Sequence, residues 1–383
     1  MNIILHDYQQ HLTFAPLTLT RPVGQLRMGI YTNEERWAVL CPDAKISFYT
    51  EDYLASLFPT HLTADNYWIN ASIIPTRALV ESIKNLKVGE CLVGENDEFI
   101  ASRGKEIDTS KKLRAQEGDY IVVNERWHLY QLNDRVLRLD FELVTSGKKS
   151  APLSSTCQLI GDEKDVYISP SAKVEGVILN ATTGPIYVGD NAEIMEGSII
   201  RGGLALCEHA VVKLGAKIYG ATTVGPYSKV GGELSNVIFQ AYSNKGHDGF
   251  LGNSLIGAWC NLGADTNTSN LKNNYGLVKT YDYRKKQVVQ TDVQFMGVTM
   301  GDHSKTGINT MLNTATVIGV SATIFGAPFP PKFIPSFSWG GFDSTRFEFE
   351  KALIASNNMM ERRGLQLSKE EEAVLKKVYE EKY

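Results

Sequence analysis

Val188 to Val230 reads VGDNAEIMEGSIIRGGLALCEHAVVKLGAKIYGATTVGPYSKV. Eight aliphatic residues fall in it at a fixed step of six: Val188, Ile194, Ile200, Leu206, Val212, Ile218, Val224 and Val230. A helix spaces its apolar positions about 3.6 residues apart and a strand every second residue. A step of six fits neither, and predicts a parallel β-helix in which each six-residue unit forms one side of a coil and turns one corner. Between the aliphatics stand small or turn-tolerant residues such as Gly189-Asp190-Asn191, Gly215-Ala216 and Gly225-Pro226, which suit tight corners and close approach of neighbouring coils.

Outside this stretch the register lapses and returns. Ile168 and Val174 precede it, Phe250, Ile256, Leu262 and Thr268 follow, and Met300, Thr306, Leu312, Ile318 and Ile324 close it. The gaps at 231–249 and 269–292 are expected to be loops thrown out from the solenoid. Ile/Val/Leu-Gly-x-x-Ala/Ser-x units resemble the hexapeptide-repeat acyltransferases. That resemblance implies a left-handed helix and a homotrimer, since parallel crossovers are otherwise right-handed.

With 383 residues the chain exceeds what one core usually serves. Three parts are expected: an α/β domain over 1–150, the β-helix over 151–327 and a Pro/aromatic and helical tail over 328–383. Net charge is −4 with no basic stripe, which argues against nucleic acid as a partner and leaves anionic substrates to local Lys and Arg. Cys41, Cys91, Cys157, Cys207 and Cys260 are scattered without a C-x-x-C pair, as expected for thiols in a reducing cytoplasm. No apolar run approaches a membrane span, and the first ten residues, with His6 and Asp7, do not read as a secretory signal.

Before Ser150 the six-step is missing. Short apolar runs at Ile3–Leu5, Ile46–Tyr49, Tyr67–Ile74, Glu90–Val93 and Tyr120–Val123 alternate with polar stretches, predicting an open α/β sheet. Leu129, Leu132, Val136, Leu139 and Leu143 then recur at helical spacing over Trp127 to Val144. Polar residues at Ser146–Ser155, with Pro152 among them, mark the boundary. At the far end, Pro328, Pro330 and Pro331 are expected to stop the ladder. Two helices follow, one at about 345–362 and one from Ser368, where Glu371 completes a capping box. The tail is read as a solvated cover on the solenoid.

The chemistry is expected around Asn244-Lys245-Gly246-His247-Asp248-Gly249-Phe250-Leu251-Gly252. An imidazole in a Gly-flanked loop is open to solvent and titrates near neutrality, so His247 suits a general base taking a proton from an amine that attacks a thioester. His209 and His303 stand at ordinary structural positions. The loop resembles the G-H-x-x-Y-L-G segment in the acetyltransferase half of the bifunctional enzymes that make UDP-N-acetylglucosamine from glucosamine 1-phosphate. Ile256 to Thr266 is similar to that family's I-G-x-x-x-N-x-G-A-G-T, and Asp302 to Asn309 to its K-T-G-I-N coil. Carried over, the resemblance makes His247 the base and Asn270 a ligand of amino sugar and cofactor. It places Phe250 where a tyrosine is usual, and puts Ala264, Lys272, Lys279 and Lys305 near substrate or acetyl-CoA, the acyl donor. Leu271 replaces a second tyrosine and Asp265 a glycine.

In the first domain, Phe14 to Pro22 resembles the R-P-L-T-x-x-R-P segment of sugar-1-phosphate nucleotidyltransferases. Arg21 and Arg27 are the expected nucleotide clamp and Asp7 the expected Mg²⁺ ligand. The Gly-rich phosphate turn is replaced by Asp7-Tyr8-Gln9-Gln10-His11-Leu12-Thr13. Three readings stand side by side. The first is acetyl transfer to a hexosamine 1-phosphate followed by nucleotidyl transfer from UTP or another nucleotide. The second keeps the acyltransferase with a non-catalytic N-terminal domain, and the third is a trimeric scaffold that binds a sugar nucleotide.

Overall fold

The computed structural model describes residues 1–116 and 118–383. The chain divides into two compact units. One comprises Met1–Phe14, Thr18–Leu26 and Tyr31–Arg126, and the other Ala15–Leu17, Arg27–Ile30 and Trp127–Tyr383. It thus consists of an N-terminal α/β nucleotidyltransferase-like domain, a parallel β-solenoid and C-terminal helices.

In the first unit, apolar runs form β1 (Asn2–His6), β2 (Lys45–Tyr49), β3 (Asn66–Asn70), β4 (Glu90–Val93), β5 (Phe99–Gly104) and β6 (Lys111–Arg114). They lie in the order β2-β1-β3-β5-β4-β6. β1 is parallel to both β2 and β3, and β5 runs antiparallel to β3 and β4. The run Tyr67–Ile74 splits in two, because Ile73–Pro75 leaves the sheet to pair with Tyr120–Val122. β5 and β6 carry Ser102, Arg103, Lys111, Lys112 and Arg114 among their residues, and that polarity hid them from an apolar-run reading. Helix α1 (Asn33–Leu40) starts on a capping box in which the Glu35 N–H donates to Thr32 Oγ1 at 3.1 Å and the Thr32 N–H donates to Glu35 Oε2 at 2.7 Å. Helix α2 (Arg77–Lys84) is capped by Thr76.

The solenoid is the one the six-step predicts. Val188 pairs with Leu206 and Leu206 with Val224, eighteen residues apart each time, so three sixes close one coil. Ile194, Val212 and Val230 stack likewise on a second side, and Ile200 and Ile218 on a third. All of these side chains are buried in one continuous core. Burial of such a column is what holds the coils together, since each aliphatic contributes about 1.5–3 kcal/mol on leaving water.

One of the two expected interruptions changes. Residues 231–249 do not leave the solenoid. Ile218 pairs with Leu234 and Val224 with Phe239, so this coil is two or three residues short of eighteen. The strand Glu233–Phe239 runs through one corner, where Asn236 takes φ 54° instead of a full turn. In consequence the inward residue of the next coil is Leu251, opposite Leu234, and Phe250 faces outward opposite Glu233. The second gap is a true excursion. The chain leaves after Thr268, forms an antiparallel hairpin of Lys279–Asp282 with Gln287–Gln290, and returns at Thr299–Met300 opposite Leu255 and Ile256.

The prolines do not end the ladder. They lie in a connection before Phe333–Ile334, which pairs with Val317–Ile318, and Trp339 then pairs with Thr323. The lost proline N–H groups cost nothing there because the bonds resume from the Lys332 carbonyl, which accepts from Val317 at 2.8 Å.

The helix expected at 127–144 is α3 (His128–Gln131) and α4 (Asn133–Thr145), broken at Leu132. α4 lies on the solenoid: Asn133 Nδ2 donates to the Ala221 carbonyl at 3.0 Å and Arg138 Nη2 to the Thr183 carbonyl at 2.7 Å. The chain finishes with α5 (Phe349–Glu361) and α6 (Lys369–Glu381), the latter on the expected Ser368/Glu371 capping box. Among the described residues no helix is long and apolar enough to cross a membrane.

Candidate active site

One side of the solenoid presents Lys229, Asn244, Asn261 and Lys305 outward in consecutive coils, each one residue before an inward neighbour in the ladder. Along this side runs a cleft of about 820 Å³. His247 stands on its rim, exposed, in the four-residue corner Gly246–Gly249 between the strands Asn244–Lys245 and Phe250–Ile256. Ala264 and Ile308 occupy the equivalent corners of the next two coils; the Asn309 N–H donates to the Ala264 carbonyl at 2.8 Å.

Five basic side chains line the cleft: Lys213, Lys229, Lys305, Arg362 and Arg363. None of the described lining residues is an Asp or Glu. Burial, then the neighbouring Arg363, Lys213 and Arg362, hold the Lys229 ammonium below its usual value. Lys305 is lowered by burial, and its Nζ donates to the His303 carbonyl at 2.9 Å. Glu193 offsets only part of the repulsion at Lys229, and an anion entering the cleft relieves the rest.

Helix α5 supplies the far wall through Asn358, Met359 and Arg362. A ladder of stacked rings holds it there. His209, Tyr227, Tyr242 and Trp259 lie one per coil at corner positions with φ between 53° and 59°, their centroids 4.6, 4.9 and 4.2 Å apart. Met360 packs on Trp259 and Ala258, with Tyr242, Met359 and Leu367 around them, and Arg363 Nη2 donates to the Tyr227 carbonyl at 3.1 Å. The tail is therefore part of the site's wall and not only a cover. His209 belongs to this ladder.

The remaining residues expected in the site gather elsewhere. Asn270 Nδ2 donates to Asn253 Oδ1 at 2.7 Å, and the Phe250 N–H donates to Asn267 Oδ1 at 2.8 Å. Phe250 and Asn270 meet over Gly252, where a Cβ would lie 2.6 Å from Phe250 Cζ and 2.7 Å from Asn270 Nδ2, so any larger residue would push these two side chains aside. Lys272 and Lys279 sit on the excursion beside Lys332, whose ammonium is lowered by burial and then by those two lysines. Lys332 Nζ donates to the Lys279 carbonyl at 3.4 Å. Phe250, Asn270, Lys272 and Lys279 are not among the described residues that line the His247 cleft.

In the first unit the parallel strands part on either side of β1, and the crevice at their carboxyl ends is where open α/β sheets bind nucleotides. Asp7 stands there, 4 % exposed. Its Oδ1 accepts the Val23 N–H at 2.9 Å, its Oδ2 the Thr50 hydroxyl at 2.5 Å, and His11 Nδ1 lies 3.9 Å from Oδ2. Burial pushes its carboxyl up to about 7. Each Asp7 oxygen already accepts one hydrogen bond, and among the described residues no group of three His, Cys, Asp or Glu gathers that could hold a metal ion. The described residues thus show no preformed Mg²⁺ site.

The loop N–H groups turn inward as well. Those of Gln10 and Thr13 donate to the carbonyls of Asp7 and Gln10 at 2.8 and 2.9 Å, in place of a phosphate cradle. Arg27, expected in the nucleotide clamp, is buried in the solenoid unit. Its N–H donates to Gln240 Oε1 at 2.7 Å, its Nε to the Gln240 carbonyl at 3.3 Å, and its Nη1 to the Ile30 carbonyl. Arg21 is half-buried, with its N–H on the Thr18 carbonyl at 3.3 Å.

Residues 3–149 match the profile of a family described as sugar nucleotidyl transferase. The chain is similar to the bifunctional protein GlmU of Cyanothece sp., 27% identical over 227 residues that cover 53% of this chain and 46% of the relative. It is also similar to the bifunctional protein GlmU of Synechococcus sp., 29% identical over 242 residues covering 61% and 46%. The chain spans less than half the length of these relatives. Among solved structures, the polysialic acid O-acetyltransferase OatWY aligns at TM-score 0.29 and 11% identity over 50% of this chain and 87% of that one. The family profile and the two relatives place the chain in a distant relationship to the GlmU-like sugar-nucleotidyltransferase and hexapeptide-acyltransferase proteins.

Proposed function

We propose that the protein transfers an acetyl group from acetyl-CoA to the amine of a hexosamine 1-phosphate, with His247 as general base. The observation that carries this is an exposed imidazole on the rim of a cleft with five cations and no described acidic lining residue. His247 takes a proton as the amine nitrogen attacks the thioester carbonyl; the C–S bond breaks, a C–N bond forms, and the released thiolate takes up a proton. Lys213, Lys229, Lys305, Arg362 and Arg363 receive the phosphates of the donor or of the sugar. Holding both reactants in one groove supplies much of the rate by proximity.

Phe250 and Asn270 are not among the described residues that line the cleft, which suits a homotrimer in which one copy's excursion faces another's His247. The N-terminal domain serves as a binding module: its loop bonds to itself, Asp7 is capped and Arg27 is a structural fastener. This reading sets aside nucleotidyl transfer as a second step, and the cytoplasm, where acetyl-CoA and sugar phosphates occur together, is its proposed setting.

The test is a coupled assay on the purified chain with acetyl-CoA and glucosamine 1-phosphate, followed by UTP and Mg²⁺. Thiol release that needs the sugar supports the proposal, and pyrophosphate appearing after UTP would restore the first domain as an enzyme. Absence of thiol release with every amino-sugar phosphate would leave a sugar-nucleotide-binding scaffold.

A further inference from the structure

Directly beneath the His247 corner, the inward column of the solenoid contains a charge. Lys245 pairs with Val230, and the column continues with Leu262 in the following coil. Val230 and Leu262 are buried aliphatics, and Lys245, at 1 % exposed, is as deep as they are. An ammonium in an apolar column loses its hydration, and an aliphatic side chain would fill the same space without that loss. Burial accordingly pushes the Lys245 ammonium down to about 8.

The ammonium is held by three backbone carbonyls. Nζ donates to Gly231 at 3.1 Å, to His247 at 2.9 Å and to Asp248 at 3.3 Å. Two of these three belong to the corner that carries the imidazole. That corner is bounded by Gly246 and Gly249, the latter at φ 111°, so its own backbone is permissive. A second bond ties it to the next coil, since the Asp248 carbonyl also accepts the Asp265 N–H at 3.0 Å. The lysine thus grips the two consecutive peptide planes that follow the His247 Cα, on either side of the Asp248 Cα.

We infer that Lys245 is a positioning residue for His247: from inside the solenoid its ammonium locks the Gly246–Gly249 corner and fixes the imidazole at the cleft rim. The inference rests on the acyl-transfer reading for its catalytic consequence, while the locking of the corner stands by itself. Lys245 touches no substrate. Its contribution is to spare the reaction the search over corner conformations that two glycines would allow.

The test substitutes Lys245→Met, which restores an apolar column, and Lys245→Gln, which keeps a neutral donor. Thermal melting, hydrogen exchange at residues 246–249 and, where the native chain releases thiol, kcat and KM are measured. For Lys245→Met the expected results are a melting temperature equal to or above native and corner amides that exchange about tenfold faster or more. The kcat falls by about tenfold or more at nearly unchanged KM, with Lys245→Gln in between. A lower melting temperature with unchanged corner exchange, or a variant that does not fold, would make Lys245 a structural residue and overturn the inference. If the native chain releases no thiol, the acyl-transfer reading fails, and corner exchange alone still decides what Lys245 does.

Discussion

Two loops follow strands at places where the sequence resembles a known site, and the structure treats them oppositely. The loop after β1 folds in on itself: Asp7 caps Val23 and Thr50, and the N–H groups of Gln10 and Thr13 bond within the loop. The corner Gly246–Gly249 turns outward, presents His247 to solvent and keeps its polar ties beneath it, on Lys245. In the first, the groups that would meet a ligand are used to hold the fold. In the second, the fold is held from below and the chemistry is left free. Resemblance of sequence locates a loop, and the destination of its hydrogen bonds decides whether it is still a site.

The largest expected effect lies on the outward loop. His247→Ala lowers kcat for acetyl transfer by about 10²- to 10⁴-fold with little change in KM, as for removal of a general base. Steady-state thiol release reads it, and a loss confined to KM would place the base elsewhere.

Next comes the inward loop, where the expected effect is on stability and not on activity. The folded pKa of Asp7, about 7, lies above the unfolded value of 3.8. For an acid shifted upward, the stabilisation is fully present below the unfolded value and is lost as pH rises through the folded one. Asp7→Asn stays neutral, so its stability relative to native should rise by on the order of a few kcal/mol between pH 4 and pH 7. Denaturant melts at the two pH values measure it. A flat difference would mean that Asp7 is solvated and ionised, as a metal ligand would be.

A smaller effect is expected at the cleft wall. Arg362→Ala with Arg363→Ala should raise the KM for acetyl-CoA about tenfold at nearly constant kcat, the more so at low salt. The same pair of changes leaves Asp7 and its pH dependence untouched, which separates the two regions. Smallest is Phe250→Tyr. It restores a hydroxyl that the acetyltransferases carry at this corner and should change kcat/KM for the sugar by about threefold at most, since one added polar group is a weak discriminator.

Subunit mixing sharpens the comparison further. If copies share the site in the proposed homotrimer, co-expressed His247→Ala and Asn270→Ala chains should recover activity that neither has alone, because mixed assemblies would contain intact His247/Asn270 pairs. Recovery near zero, with trimers confirmed by light scattering, would put both residues in one chain's site.

The solenoid was legible because each coil repeats the same physical demand: one inward aliphatic per side, one corner, one small residue. Where the demand is met by different means, the sequence misled. The short coil at 231–249 replaces a corner with Asn236 at positive φ, which shifted the register from Phe250 to Leu251. The prolines at 328–331 lie in a connection where no ladder N–H is needed. The exposure of His247 was legible because Gly246 and Gly249 bound its corner. Lys213, Lys229, Arg362 and Arg363 were not, since ladder register and a tail more than a hundred residues away bring them together. Lys245 was hidden by its own position: in a pattern of aliphatics a lysine reads as a gap, and only its three carbonyl partners show that it fills one.

The most direct test of the central claim is the mass of the acceptor sugar after incubation of the native chain with acetyl-CoA and glucosamine 1-phosphate. The account predicts one added acetyl group, resistant to hydroxylamine as an amide is, and none with His247→Ala. An unmodified sugar, or equal acetylation by the His247→Ala chain, would contradict it.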